Sequence, residues 1–278
     1  MTDGSWFQNE SQLDRNEIPP LNYPRYPMTE FIADLLVPFE PILLPLVGEK
    51  CHTSLFKNVN LGDTACLKLF ISKGLGVGLI VGGSIVKLPQ ILKIFSSGSV
   101  EGISYSSYIL ETIAFTISVA YNSRNDNPFT TYGEQVFLLA QNLIIIALIL
   151  GYNAKYHQLG GVMLAFLAAL FALFQPTLAP PGLLGALQGL TILIGIASRV
   201  PQILSNYTNR SVGQLSSITI LLISAGSVAR VFTTLQEVND PLLMVGAVVA
   251  AALNVVLASQ CIAYPSGPPK TKNAAKSQ

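Results

Sequence analysis

Lys87-Leu88-Pro89-Gln90-Ile91-Leu92 and Arg199-Val200-Pro201-Gln202-Ile203-Leu204 stand 112 positions apart and share a leading cation, a Pro-Gln pair and the Ile-Leu after it. The same shift lays Ser99-Val100 on Ser211-Val212 and Ser104 on Ser216. Far from that seed it also lays Asn142 on Asn254. Chance does not extend agreement over so many positions, so the chain is built from two copies of one unit.

Both copies lie in apolar sequence. Apolar residues make up 50% of the 278 residues and charged residues only 11%, where soluble domains carry about a quarter charged. The mean hydropathy is +0.51. Blocks such as Gly74 to Leu92, Phe137 to Leu150 and Leu183 to Val200 approach the ~20 residues that cross a bilayer as helix. The expected fold is all-α and membrane-embedded. A net charge of +1 provides no field for holding nucleic acid, and no basic run is interleaved with aromatics. Three cysteines, Cys51, Cys66 and Cys261, are too few for a disulfide framework or a zinc site, though Cys51 and Cys66 can pair if both face an oxidising lumen.

Residues 1–30 mix Asn, Glu, Ser and Pro and read as a flexible polar tail without the apolar core of a signal peptide. Residues 31–68 begin with an apolar stretch interrupted by Asp34, Glu40, Pro38, Pro41 and Pro45. Those prolines break a spanning helix more than once, so an interfacial amphipathic segment is expected. Seven helices follow, over about 69–95, 103–122, 133–152, 157–174, 183–205, 214–236 and 241–264. Each is bounded by Gly, Pro, Ser or Asn clusters. The organisation is 3+1+3, with a first three-helix repeat over 69–152, linker helix 4 within 153–182, a second repeat over 183–264 and a basic tail over 265–278. One helix between two triple-helix units returns the chain to the same side. The repeats are therefore parallel, with a pathway expected between them.

Lys93, Lys155, Arg210, Lys270, Lys272 and Lys276 fall in one set of loops and the C-terminal tail, while Arg124 with Asp126 and Glu134, and then Glu237 and Asp240, fall opposite. Lysine and arginine in short loops stay cytoplasmic, which puts the C-terminus in the cytoplasm and the N-terminus in the lumen. Lys50, Lys57 and Lys68 oppose that reading. Of the Asn-X-Ser/Thr acceptors at Asn9, Asn206 and Asn209, only Asn9 then faces a glycosylating lumen.

Pro89 and Pro201 lack an amide hydrogen and press on the carbonyls of Ile85 and Ala197, so both helices are expected to bend there. Gln90 and Gln202 stand beside the bends, placed to satisfy the freed carbonyls or to face a cavity. The pair reads as two matched hinges, or as static kinks. Gly74, Gly78 and Gly82 have the spacing of four that lets helix backbones approach. Glu111 and Arg230 lie well inside their helices, and an ion there faces the bundle and finds a partner. They differ in depth by ~10 Å at ~1.5 Å per residue. Either they line the pathway, Arg230 attracting an anionic headgroup and Glu111 binding sugar hydroxyls, or they form a structural pair. Lys87 and Arg199, matched before the bends, either hold a phosphate or snorkel to lipid headgroups. Asn142 and Asn254 are either sugar contacts or interhelical glue. No catalytic nucleophile-base set and no metal site can be assembled, and no cofactor is expected.

The doubled Pro-Gln motif at this separation resembles the PQ-loop family, which includes SWEET sugar transporters, cystinosin-type lysosomal exporters and the KDEL receptor. The resemblance covers all seven helices. It extends through Ser72-Lys73-Gly74-Leu75-Gly76, Val86-Lys87-Leu88-Pro89-Gln90, Glu101-Gly102, Val37 to Pro45, and Ser227-Val228-Ala229-Arg230-Val231-Phe232-Thr233 running on to Gln236-Glu237. These stretches are similar to family members that serve lumenal use of dolichol-phosphate-linked mannose and glucose. The resemblance implies a non-enzymatic, multi-pass protein of the endoplasmic reticulum whose partners are membrane lipid, dolichol-phosphate-linked sugars and lumenal glycosyltransferases. It also implies a sugar contact for the Asn142 and Asn254 pair. The alternatives it leaves are a SWEET-like facilitator of free sugar or small solute, and a receptor or chaperone that binds without transport.

Overall fold

The computed structural model describes residues 38, 40–211 and 217–264, with the side chains of 217–219 excluded. The polar tail with Asn9 and the basic tail with Lys270, Lys272 and Lys276 lie outside the described residues. The chain divides into two compact units, Met1–Cys66 and Leu67–Gln278.

In the first unit, α1 (Glu40–His52) passes into a π-helical turn, Thr53–Lys57. The helix is interrupted at Gly48, whose φ of +78° is open to glycine and strained for other residues. Cys51 is disulfide-bonded to Cys66, at the start of α2 (Thr64–Ile85). Asp63 caps α2, accepting the Cys66 amide at 3.1 Å, and also accepts the Ser54 hydroxyl at 2.8 Å. The backbone amide of Cys66, followed by the Ser54 hydroxyl, holds the Asp63 carboxyl below its ordinary range.

The second unit is all-helical among the described residues: the rest of α2, then α3 (Leu88–Ser97), α4 (Tyr105–Arg124), α5 (Phe129–Tyr152), α6 (Tyr156–Phe174), α7 (Pro181–Asn209), α8 (Ser217–Glu237) and α9 (Pro241–Ala263). Local chemistry sets the ends. Gly98 closes α3 at φ +62°, the Ser104 hydroxyl accepts the Ser107 amide at 3.4 Å to start α4, and Asp240 accepts the Leu242 amide at 2.8 Å to start α9. Among the described residues five segments are long and apolar enough to cross a membrane: Thr64–Ser97, α5, α6, α7 and α9. The helix α4, at 20 residues, is long enough but too polar for that measure. The reason is visible in its burial. Thr112, Thr116, Ser118 and Asn122 of α4 are buried, as are Ser224, Thr233 and Thr234 of α8. A helix that turns hydroxyls and amides inward loses hydropathy without losing its place in a bundle.

The repeats have matching cores. In the first, Ile91, Ile94, Ile145 and Ile149 cluster with Tyr108; in the second, Leu257, Ala258 and Cys261 cluster with Ile203 and Ile220. Ile91, Tyr108, Ile145 and Ile149 correspond by the 112-residue shift to Ile203, Ile220, Leu257 and Cys261. In each repeat the third helix contacts both others: α9 packs on α7 and α8, and α5 on α3 and α4. The linker α6 buries no side chain, as befits an apolar helix surrounded by lipid.

Two expectations about the first helices are corrected. The approach of α2 to α5 runs through Gly76 and Gly83, where an added Cβ would stand 2.9 Å from Thr130 and from Glu134. Gly74, Gly78 and Gly82 have no such neighbour within 4 Å. The two proline sites also differ. Before Pro89 the helix is interrupted at Val86-Lys87, whereas α7 runs unbroken through Pro201. Gln90 does not serve the interruption; its side-chain oxygen accepts the Tyr108 hydroxyl at 2.7 Å. Gln141 of α5 serves it instead, donating to the Gly83 carbonyl at 2.8 Å and accepting the Lys87 amide at 3.0 Å. In the second repeat the matched position is Leu253. With no amide there to satisfy exposed backbone, an uninterrupted helix is the better solution in an apolar setting.

Candidate functional site

A cavity of about 520 Å³ lies between the repeats, bounded by α4 and α5 on one side and α7, α8 and α9 on the other. Its polar lining includes Glu111, Gln135, Gln188, Arg199, Arg230 and Asn254. The buried Gln135 side-chain oxygen has no hydrogen-bond partner among the described residues, an arrangement that leaves an acceptor for a guest.

Glu111 and Arg230 both line this cavity, but each has a different partner. The Lys87 ammonium donates to the Glu111 carboxylate and, at 2.6 Å, to the Asn142 side-chain oxygen; the Asn142 amide donates to Glu111 at 3.0 Å. Lys87 Nζ also lies 4.9 Å from the Tyr108 ring centre, within cation–π range. The interruption of the first helix makes Lys87 the N-cap of α3 and turns its side chain toward α4 and α5. Arg230 pairs with Glu134 at 2.6 Å and donates to the Thr131 carbonyl at 2.8 Å. A mutual Glu111–Arg230 pair is thereby excluded in this arrangement.

Arg199 is different. It lines the cavity and has no carboxylate partner among the described residues. The charged lining is Glu111, Glu134, Arg199 and Arg230; with Lys87 behind the wall on Glu111 and Arg230 on Glu134, Arg199 is left without a carboxylate partner among the described residues. That unpaired cation favours an anionic guest.

Asn142 and Asn254 do not share a role. Asn142 is fully buried and committed to Lys87 and Glu111, while Asn254 faces the cavity. Pro89, Gln90, Pro201 and Gln202 lie outside the lining. Among the described residues no three His, Cys, Asp or Glu side chains converge as metal ligands.

Polar contacts between the repeats gather at one end, formed by the end of α4, the start of α5, the end of α8 and the start of α9. Glu237, with a side chain 1% exposed, accepts Ser72 at 2.5 Å, Thr130 at 2.5 Å and the Lys73 ammonium at 2.7 Å. Arg230 reaches Glu134 there, Tyr121 donates to Asp240 at 2.7 Å, and Ser118 donates to Gln188 at 3.0 Å. At the other end Asn206 donates to Gln260 at 3.1 Å and Arg210 to Tyr264 at 3.2 Å, both within the second repeat. The cavity is latched at the first end. At ~1.5 Å per residue, Arg230 lies ~10 Å from that end of α8 and Arg199 ~27 Å along α7 from it.

Gln141, Glu134, Gln135 and the Lys73–Glu237 pair were not singled out as site residues by sequence reasoning. For Glu134 and Glu237 a signal existed, since both stand near helix ends. Gln141 carried none beyond its place next to Asn142.

The PQ loop repeat model matches residues 71–131 and 183–243, two stretches displaced by the same 112 positions as the doubled motif. The chain is 27% identical to Solute carrier family 66 member 3 of Homo sapiens over 179 residues, covering 64% of this chain and 87% of that protein. No solved structure matches it. The paired cores, the shared cavity and the two matched stretches converge: the chain is all-helical among the described residues, has several segments long and apolar enough to cross a membrane, and carries two PQ-loop repeats.

Proposed function

We propose that the chain is an endoplasmic reticulum membrane protein that serves lumenal use of dolichol-phosphate-linked mannose and glucose, by carrying the lipid-linked sugar across the bilayer or presenting it to lumenal glycosyltransferases. The observation that carries this reading is the cavity between the repeats, in which Arg199 supplies a free positive charge and Asn254, Gln135 and Gln188 supply amides. A phosphate answers the first and hexose hydroxyls answer the second. The sequence stretches around Ser72, Lys87, Glu101 and Arg230 resemble the mannose-P-dolichol utilization defect 1 protein, which supports the substrate class and the location.

A lumenal N-terminal side agrees with the charge of the loops. It also agrees with the Cys51–Cys66 bond at the start of α2, since such bonds persist in oxidising compartments. In that orientation the latched end is lumenal, and the cavity accepts its guest from the cytoplasmic side. Release then requires the Lys73–Glu237 and Arg230–Glu134 pairs to part.

The test is deletion of the gene followed by profiling of dolichol-linked oligosaccharides. Truncated chains lacking the sugars added in the lumen, restored by the wild-type protein and not by an Arg199→Gln variant, support the reading. Normal oligosaccharides with impaired uptake of a soluble sugar refute it. That second outcome belongs to a facilitator of a small solute, a reading favoured by the similarity to a protein named as a solute carrier.

A further inference from the structure

A second concavity lies on the face of α7 and α9. It is an apolar groove lined by Leu187, Leu190, Leu193 and Ile196 of α7 and by Leu242 and Val245 of α9, among others. Its members are open to the surroundings: Leu190 is 49% exposed, Leu193 61% and Val245 56%. Three side chains, Ile192, Ile196 and Val249, line both this groove and the polar cavity. The partition between them is therefore one layer of aliphatic side chains. At its centre Ile192 rests on Gly246, where an added Cβ would stand 2.9 Å from the Ile192 side chain. Glycine permits the two helices to close over a single isoleucine, and a rotamer change there is the smallest movement that joins the two spaces.

The position of Arg199 gives the groove a direction. Ile196 is three residues before Arg199 and Ile192 seven before it, so all three lie on one face of α7. From Ile196 the groove descends past Leu193 and Leu190 to Ala186, a length of about 15 Å at the helical rise. It leads from the level of the free cation toward the latched end. A lipid whose phosphate meets Arg199 from the nearer leaflet extends its chain in that direction.

We propose that the α7/α9 groove is the lateral portal of the cavity: it receives the first part of the hydrocarbon chain of a phosphate-bearing lipid whose headgroup is bound at Arg199. This rests on the proposed handling of a lipid-linked sugar phosphate and adds the route by which the chain leaves the protein. The groove is too short for a long polyprenyl chain, and the remainder lies in the bilayer. The side of entry is defined as α7/α9, away from the linker α6.

The test uses the full chain in nanodiscs and measures binding of three probes: a polyprenyl phosphomannose, mannose 1-phosphate and phosphatidate. Val245→Trp and Leu190→Trp fill the groove from residues that do not line the cavity. Each is expected to weaken the polyprenyl probe about tenfold, the loss of roughly two buried methylene groups, and to leave mannose 1-phosphate unchanged. Leu164→Trp on α6, at a position 70% exposed, serves as the folding and bulk control and is expected to match the wild type. Arg199→Gln is expected to weaken the polyprenyl probe and mannose 1-phosphate alike. Groove variants that bind the polyprenyl probe as the wild type does, or that lose mannose 1-phosphate equally, overturn the portal. Wild-type binding of phosphatidate that depends on the groove, without binding of either mannose probe, supports the portal and overturns the sugar-lipid reading.

Discussion

Replacing Gln141 by leucine, the residue at the matched position 253, tests why one proline helix is interrupted and the other is not. Gln141 is 5% exposed and satisfies two backbone groups at the interruption, the Gly83 carbonyl and the Lys87 amide. Its third bond, to the Phe137 carbonyl at 3.0 Å, is made to an oxygen of its own helix and adds little. Leucine keeps the volume and removes both outward bonds. A buried backbone group left without a partner costs about 1–3 kcal/mol. The pair therefore costs roughly 2–6 kcal/mol, which for a unit of this size shifts the midpoint by about 10 °C.

Cys261 supplies the assay. It is free and buried, whereas Cys51 and Cys66 are bonded to each other, so a thiol-reactive dye in detergent reports thermal unfolding through one site. Circular dichroism in the same samples follows the helices. Leu253→Gln, the reverse exchange, is expected to give no comparable gain because α7 is not interrupted before Pro201 and exposes no counterpart of the Lys87 amide. A Gln141→Leu midpoint within about 1 °C of the wild type would refute the argument that this side chain holds the interruption.

Four further outcomes follow from the same contacts. Glu111→Gln leaves Lys87 without its countercharge and is expected to cost about 1–3 kcal/mol, less than a fully buried pair because Glu111 is 40% exposed; adding Lys87→Met recovers most of it, and a double-mutant cycle in the thermal assay measures the coupling. Glu237→Gln weakens the latch, so a cysteine placed at Thr234 in the cavity lining reacts faster with a membrane-impermeant maleimide added from that end, and an unchanged rate counts against the latch. Denatured protein without reductant takes one thiol label and with reductant three, whereas two more labels without reductant would show Cys51 and Cys66 to be unbonded. Asp63, whose folded carboxyl is held low by its caps, contributes helix stability above the ordinary carboxylate range and loses it as pH falls through the depressed value; hydrogen exchange at the Cys66 amide accelerates in that acidic window and not above it.

The repeat was legible because Pro-Gln is rare enough in an apolar span to be matched by eye, and matching it aligned the cores as well. Tyr108 and Ile220, or Ile145 and Leu257, differ in type but share a place, which only the shift reveals. Partner choice was less legible. Depth along a helix already separated Glu111 from Arg230, but pairing Glu111 with Lys87 depends on α5 lying in contact with both α3 and α4. Sequence order does not state that contact. Gln141 was obscured by its neighbour Asn142, whose counterpart at 254 drew attention to symmetry. The asymmetry carries the chemistry here: Leu253 replaces Gln141 and Ile223 replaces Glu111 in the second repeat. That leaves Arg199 without the carboxylate that occupies Lys87.

The linker α6 has no buried side chain, and Arg124 fastens its far end by donating to the backbone carbonyls of Leu173 and Ala179 at 2.8 and 2.6 Å. Bonds to carbonyls do not depend on which side chains the linker carries. Mutational drift along α6 is thus restricted by length and greasiness alone, and the polypeptide should tolerate being severed there. Two half-length fragments, each retaining one Pro-Gln helix and its two companions, would then be expected to reassemble through the latch when expressed together, with a foreign span supplied to restore the inversion.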